Sequence, residues 1–77
     1  MNLSQPAEQT SIRILNIQQV IECTGLSRST IYELINPKSK YFDATFPKQL
    51  NLTTNRVGWV AKEINDWLAS KIAQRSK

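Results

Sequence analysis

The stretch NIQQVIECTGLSRSTIYELIN, Asn16 to Asn36, leaves the chain few ways to fold. Two short apolar runs at helical spacing flank one glycine, and each opens on a residue type that caps helices. Asn16 can offer its side-chain oxygen to the free N–H groups of a first turn. Gln19, three positions on, completes a capping box. Leu15 and Val20 have the spacing of a hydrophobic staple across that cap. The first helix is expected over Ile17 to Thr24, with Ile17, Val20 and Ile21 inward. Gly25, free to take positive φ, ends it. Ser27 caps a second helix, Arg28 to Asn36, and Leu26 and Ile31 repeat the staple spacing. Ile31, Leu34 and Ile35 share its inner face, and Pro37 stops it. Helix, tight glycine-containing turn, helix is the helix-turn-helix pattern.

The rest of the chain has to complete a body around that corner. Residues 1–10 form a polar, aperiodic stretch, expected as a disordered arm; residues 11–77 are expected as one domain. Ile12 to Leu15 is a candidate short strand that pairs with a later hairpin. Pro37 to Pro47 reads as a loop pinned to the core by Phe42 and Phe46. Gln49 to Leu52 alternates strictly, Thr53 to Arg56 has turn composition, and Val57 to Trp59 resumes an extended pattern, which predicts a β-hairpin. A last helix, from Val60 or Ala61 to Gln74, carries one apolar stripe of Ile64, Trp67, Leu68 and Ile72. No Ser, Thr, Asp or Asn caps its start. The fold class is mainly α with a small hairpin: three helices plus a wing.

What the chain lacks narrows its chemistry. In 77 residues there is no His and a single Cys. That argues against His-based acid–base work, a zinc site, an internal disulfide and any metal or other cofactor. Gly25 and Gly58 are too far apart to make a glycine-rich phosphate loop. No apolar run approaches the roughly 20 residues of a membrane span. No charged-then-apolar leader opens the chain, so a cytoplasmic place is expected, with no membrane partner. An enzyme is not expected.

Ten Lys and Arg against six Asp and Glu give a net charge of +4, which favours an acidic partner. The second helix shows where that partner would lie. With its apolar residues turned inward, the face left over is Ser27, Arg28, Ser29, Tyr32, Glu33 and Asn36, all able to hydrogen-bond a phosphate or a base edge. A helix with such a face fits the major groove of double-stranded DNA, with its N-terminal residues on the bases. Arg28 suits bidentate contact with guanine, and Ser27 and Ser29 suit phosphate or bridged base contacts. Tyr32 can meet the backbone or a thymine methyl. Glu33 either accepts from cytosine or repels wrong registers. The segment Lys38 to Arg56 then adds four cations, Lys38, Lys40, Lys48 and Arg56, against Asp43 alone. A basic hairpin after the helix pair acts as a wing that reaches phosphates or a minor groove. The plainer account makes Lys38 and Lys40 solubilising loop charges.

Four motifs in order carry a resemblance. Gly25-Leu26-Ser27-Arg28-Ser29-Thr30-Ile31-Tyr32, Phe46-Pro47-Lys48, Val57-Gly58-Trp59, and Glu63-Ile64 with Trp67-Leu68 resemble the AlpA family of small prophage-associated transcriptional regulators. The resemblance covers about Ile12 to Ile72. It implies a winged helix-turn-helix fold of MerR-like and excisionase-like type, sequence-specific DNA binding, and control of mobile-element genes such as an integrase gene. By that likeness Arg28, Ser29 and Tyr32 read DNA and Arg56 belongs to the wing. Excisionase relatives bend DNA in recombination, which stands as an alternative. The loop from Pro37 to Thr45 is longer than in the most compact members, and Val60-Ala61-Lys62 lacks the acidic or hydroxyl residues expected at a helix start.

Other residues have plainer accounts. Trp59 and Trp67 fall on inward phases and are expected in the core. Tyr41 divides evenly between packing and phosphate contact. Cys23 has no basic neighbour in sequence to activate a thiolate. Glu63 and Asp66 fit a solvated helix face. A protein–protein adaptor that meets an acidic partner through the same helix is the competing function. One recognition helix contacts few base pairs, so strong specificity calls for a homodimer, tandem sites or a partner.

Overall fold

A computed structural model describes residues 12–75, so the polar arm expected over residues 1–10 lies outside the described residues. The elements are β1 (Ile14–Leu15), α1 (Ile17–Thr24), α2 (Arg28–Ile35), β2 (Leu50–Thr53), β3 (Arg56–Val60) and α3 (Ala61–Arg75). Three helices thus accompany a three-stranded antiparallel sheet of order β1-β3-β2.

Local chemistry places the first two helices. Asn16 Oδ1 accepts from the Gln19 amide at 2.8 Å, and Gln19 Oε1 accepts from the Asn16 amide at 2.8 Å, so the capping box is complete. Gly25 takes φ 76°, the left-handed region where a β-carbon is strained. The Thr24 hydroxyl braces the corner: it donates to Val20 O at 2.8 Å and accepts from the Leu26 amide at 3.2 Å. Ser27 then caps α2 by accepting from the Thr30 amide at 3.1 Å. Asn36 is the cap residue that follows α2, which ends one residue earlier than the Pro37 signal suggests.

Six side chains form the buried core: Leu15, Val20, Ile31, Phe46, Trp59 and Ile64. They come from β1, α1, α2, the long loop, β3 and α3 in turn, so each of these contributes one. Leu15 and Val20, the staple pair, are both among them. Ile17, Ile21, Leu26, Leu34, Ile35, Trp67 and Leu68 are half-buried against this cluster. Phe46 meets Trp67 edge to face, with centroids 4.8 Å apart, and this fastens the loop to α3.

Strand β2 stands apart because all four of its residues are exposed. Its alternation predicts a strand correctly, yet Leu50 and Leu52 face solvent at 41% and 50% exposure. Its partner β3 is the inner strand, which holds Leu15 opposite Trp59 on one side and Leu50 opposite Gly58 on the other. The ladder shifts register between Asn51 and Thr53, so the hairpin is irregular near its end.

Three further expectations need correction. Phe42 does not pin the loop to the core: it is exposed, and of the two phenylalanines only Phe46 is buried. Ile72 is 56% exposed because α3 continues past the end of the core beneath it. Arg56 is the first residue of β3, opposite Thr53, rather than part of the turn. The missing cap of α3 has a non-local answer. β3 runs straight into α3, and the Ala61 amide donates to Arg13 O at 2.8 Å, beside β1. No described helix is long and apolar enough to cross a membrane.

Candidate nucleic-acid interface

Ile31 is fully buried under α2, and this fixes which way the helix turns. Ser27, Arg28, Ser29, Tyr32, Glu33 and Asn36 are all exposed, as the helical period requires. They are not equally free. The Ser27 oxygen serves the cap and shares a 2.9 Å hydrogen bond with the Thr30 hydroxyl, so its first task is structural. Ser29 Oγ lies 3.4 Å from Ser27 Oγ at the same helix start. Tyr32 is 38% exposed, with its ring tilted against Trp59 of β3. Asn36 Oδ1 accepts from the Lys38 amide at 3.0 Å, which begins the loop. The Glu33 carboxylate accepts from the Ser39 hydroxyl.

The loop after α2 therefore folds back onto it. The Ser39 amide donates to Asn36 O at 2.9 Å and the Asp43 amide to Leu34 O at 2.9 Å. Lys38 and Lys40 project from this tethered segment, both exposed, with Lys40 Nζ 5.3 Å from the Tyr41 ring centroid. Lys48 lines a shallow groove with Ile35 and Pro37, which sets it near the C-terminal end of α2. Arg56 is exposed at the far end of the hairpin, and no hydrogen bond or ion pair joins it to α2 among the described residues.

Charge is distributed unevenly. Among the described residues the ion pairs are Lys62 with Asp66 at 3.0 Å and Lys71 with Asp43 at 3.8 Å, and both involve α3. Arg28, Lys38, Lys40, Lys48 and Arg56 have no carboxylate partner among the described residues. Solvent-exposed cations left unpaired on α2, the loop and the hairpin are available to an outside anion. Asp43, the one acid in the loop and hairpin, is occupied. Its Oδ1 accepts from the Thr45 hydroxyl at 2.5 Å and the Thr45 amide at 2.8 Å. The Thr45 hydroxyl bond, with the Thr45 amide and Lys71 adding to it, holds its pKa below the ordinary 3.8 against the opposing pull of partial burial. The described residues contain no group of three or more acidic, Cys or His side chains able to hold a metal ion.

Sequence reasoning did not single out Ser39 or Thr30. Thr30 follows from the cap spacing. Ser39 had only the turn composition around Pro37 as a signal, and a bond spanning six positions has no periodicity to announce it.

Residues 13–72 match the family described as Prophage CP4-57 regulatory protein (AlpA). The chain belongs to the AlpA family. The matched segment takes in β1, both short helices, the hairpin and most of α3. Among relatives in the AlpA family, the "DNA-binding transcriptional activator AlpA" of Escherichia coli (strain K12) is 46% identical over 63 residues. That alignment covers 82% of this chain and 90% of the relative. The "Uncharacterized protein ORF88" of Enterobacteria phage P4 is 40% identical over 68 residues, covering 88% of this chain and 70% of the relative. No solved structure matches the chain.

Proposed function

We propose that this AlpA-family protein is a sequence-specific, double-stranded-DNA-binding transcriptional regulator of prophage or mobile-element genes, built as a winged helix-turn-helix. In this reading α2 lies in the major groove, and the hairpin β2–β3 is the wing. Arg28, Ser29, Tyr32 and Asn36 face the bases or their flanking phosphates. Lys38, Lys40, Lys48 and Arg56 meet phosphates. The protein binds rather than catalyses, and acts in the cytoplasm on the nucleoid. The observation that carries the reading is the row of five exposed cations from Arg28 to Arg56 without carboxylate partners among the described residues, whereas Lys62 and Lys71 of α3 are both paired, with Asp66 and Asp43. The similarity to the DNA-binding transcriptional activator of Escherichia coli supports it. A single helix of two turns reads few base pairs, so two copies on neighbouring sites account best for specificity.

The test is binding to a mixed-sequence 30-base-pair duplex as salt is raised. If about four phosphates are neutralised, log K against log salt falls with a slope near −3.6. A flat response, or no binding, removes DNA as the partner and favours an adaptor that uses α2 on an acidic protein.

A further inference from the structure

We propose that Glu33 is a positioning residue, which holds the Lys38–Lys40 loop against α2 through Ser39 so that both lysines meet the phosphates beside the recognition helix. The proposal rests on the DNA-binding reading above.

A carboxylate on a face meant for a polyanion is unfavourable unless something offsets it. Here the Glu33 carboxylate accepts from the Ser39 hydroxyl, a charge-assisted hydrogen bond. The same Ser39 oxygen accepts from the Tyr41 amide at 3.0 Å. Glu33, Ser39 and Tyr41 thus form one chain of bonds from the last turn of α2 into the loop. Around it, Asn36 Oδ1 holds the Lys38 amide, Asn36 O holds the Ser39 amide, and Ser39 O accepts from the Phe42 amide at 3.1 Å. The Tyr41 ring lies beneath Lys40 Nζ and, with Ser29, Thr30, Glu33 and Leu34, lines the groove between loop and helix. A free loop of this length would present its lysines over many positions, and binding would have to order them. The Glu33 bond removes that freedom in advance, so one negative charge sets the position of two positive ones.

Two measurements test this on the full chain. Without DNA, amide hydrogen exchange at Tyr41 reads the tether. Glu33→Ala, eight positions away, is expected to speed it, as is Ser39→Ala, whereas Ser39→Thr keeps the hydroxyl and the slow rate. With a mixed-sequence 30-base-pair duplex, Ser39→Ala is expected to weaken binding about three- to tenfold, on the scale of one hydrogen bond to a charged group. That loss should vanish in a Lys38→Ala/Lys40→Ala background, which a merely structural defect would not allow. Unchanged Tyr41 exchange in Glu33→Ala overturns the tether. Faster exchange with undiminished binding in Ser39→Ala overturns the positioning role, as does an equal loss when the lysines are absent. If the wild-type chain fails to bind the duplex, the DNA-binding reading falls and takes the positioning role with it, while Tyr41 exchange still reports the tether.

Discussion

The Tyr32 ring leans on Trp59, with centroids 6.4 Å apart and planes at 58°. One ring belongs to the exposed face of α2, and the other is fully buried in the inner strand of the hairpin. The contact sets the helix and the hairpin relative to each other. Tyr32→Ala should therefore destabilise the fold by about 1–2 kcal/mol, from the lost ring pair and the apolar area it covers. Tyr32→Phe keeps both and should stay within about 0.5 kcal/mol of wild type. Urea denaturation separates them; equal losses would show that the hydroxyl, and not the ring, holds the helix.

The two glycines should fail for different reasons. A β-carbon at Gly58 would collide with the Ile14 γ-methyl and lie 3.1 Å from Leu15 O, so β1 must move. Gly58→Ala is expected to cost about 1–3 kcal/mol by overpacking. Adding Ile14→Ala in the same chain should recover part of that loss. At Gly25 the space is open and only the left-handed backbone objects, so Gly25→Ala should cost about 1–2 kcal/mol. No truncation should rescue it. Thermal or denaturant melts of the three variants decide the matter.

Asp43 gives a pH signature. Its folded pKa is depressed, first by the Thr45 hydroxyl bond, so the unfolded chain takes up the proton sooner as the pH falls. The stability it contributes is fully present above the ordinary value of 3.8 and is lost as the pH drops through the lower folded value. Asp43→Asn should therefore be less stable than wild type near pH 6, with the gap closing below about pH 4. A gap that stays constant down to pH 2 would show that the carboxylate's charge is not involved.

Much of this architecture is written locally. The Asn16–Gln19 box, the Gly25 corner and the Ser27 cap each depend on residues within three or four positions, and such spacings can be read from the chain. The outward set from Arg28 to Asn36 is readable for the same reason, since Ile31, Leu34 and Ile35 fix the helix phase. What distant parts decide is not readable. The start of α3 depends on a carbonyl at Arg13, far away in sequence. Ile72 keeps the period of its stripe, but a helix of 15 residues, about 22 Å long, outruns a core this small. Leu50 and Leu52 alternate like a half-buried strand, yet β2 lies beyond the cluster that would bury them. The partner of Glu33 is a loop serine that no periodicity marks.

Arg28 and Lys40 should divide the work of recognition. Arg28 stands at the first position of α2, the end of the helix that the proposed reading sets against base edges. Arg28→Ala should cost about 1–3 kcal/mol on a selected site and relax the preference at one base position. Lys40→Ala should weaken all duplexes alike and make the salt slope shallower by about 0.9. Selection from a random duplex library, repeated with each variant, reads both effects. Equal losses on every sequence for both variants would deny Arg28 a reading role.

If the outward face of α2 lies against the duplex, adding a duplex should move the side-chain and amide NMR signals of Arg28, Ser29, Tyr32 and Asn36, with smaller shifts at Lys38 and Lys40, while the Lys62–Asp66 face of α3 stays unchanged. Shifts concentrated on α3, with α2 silent, would contradict it.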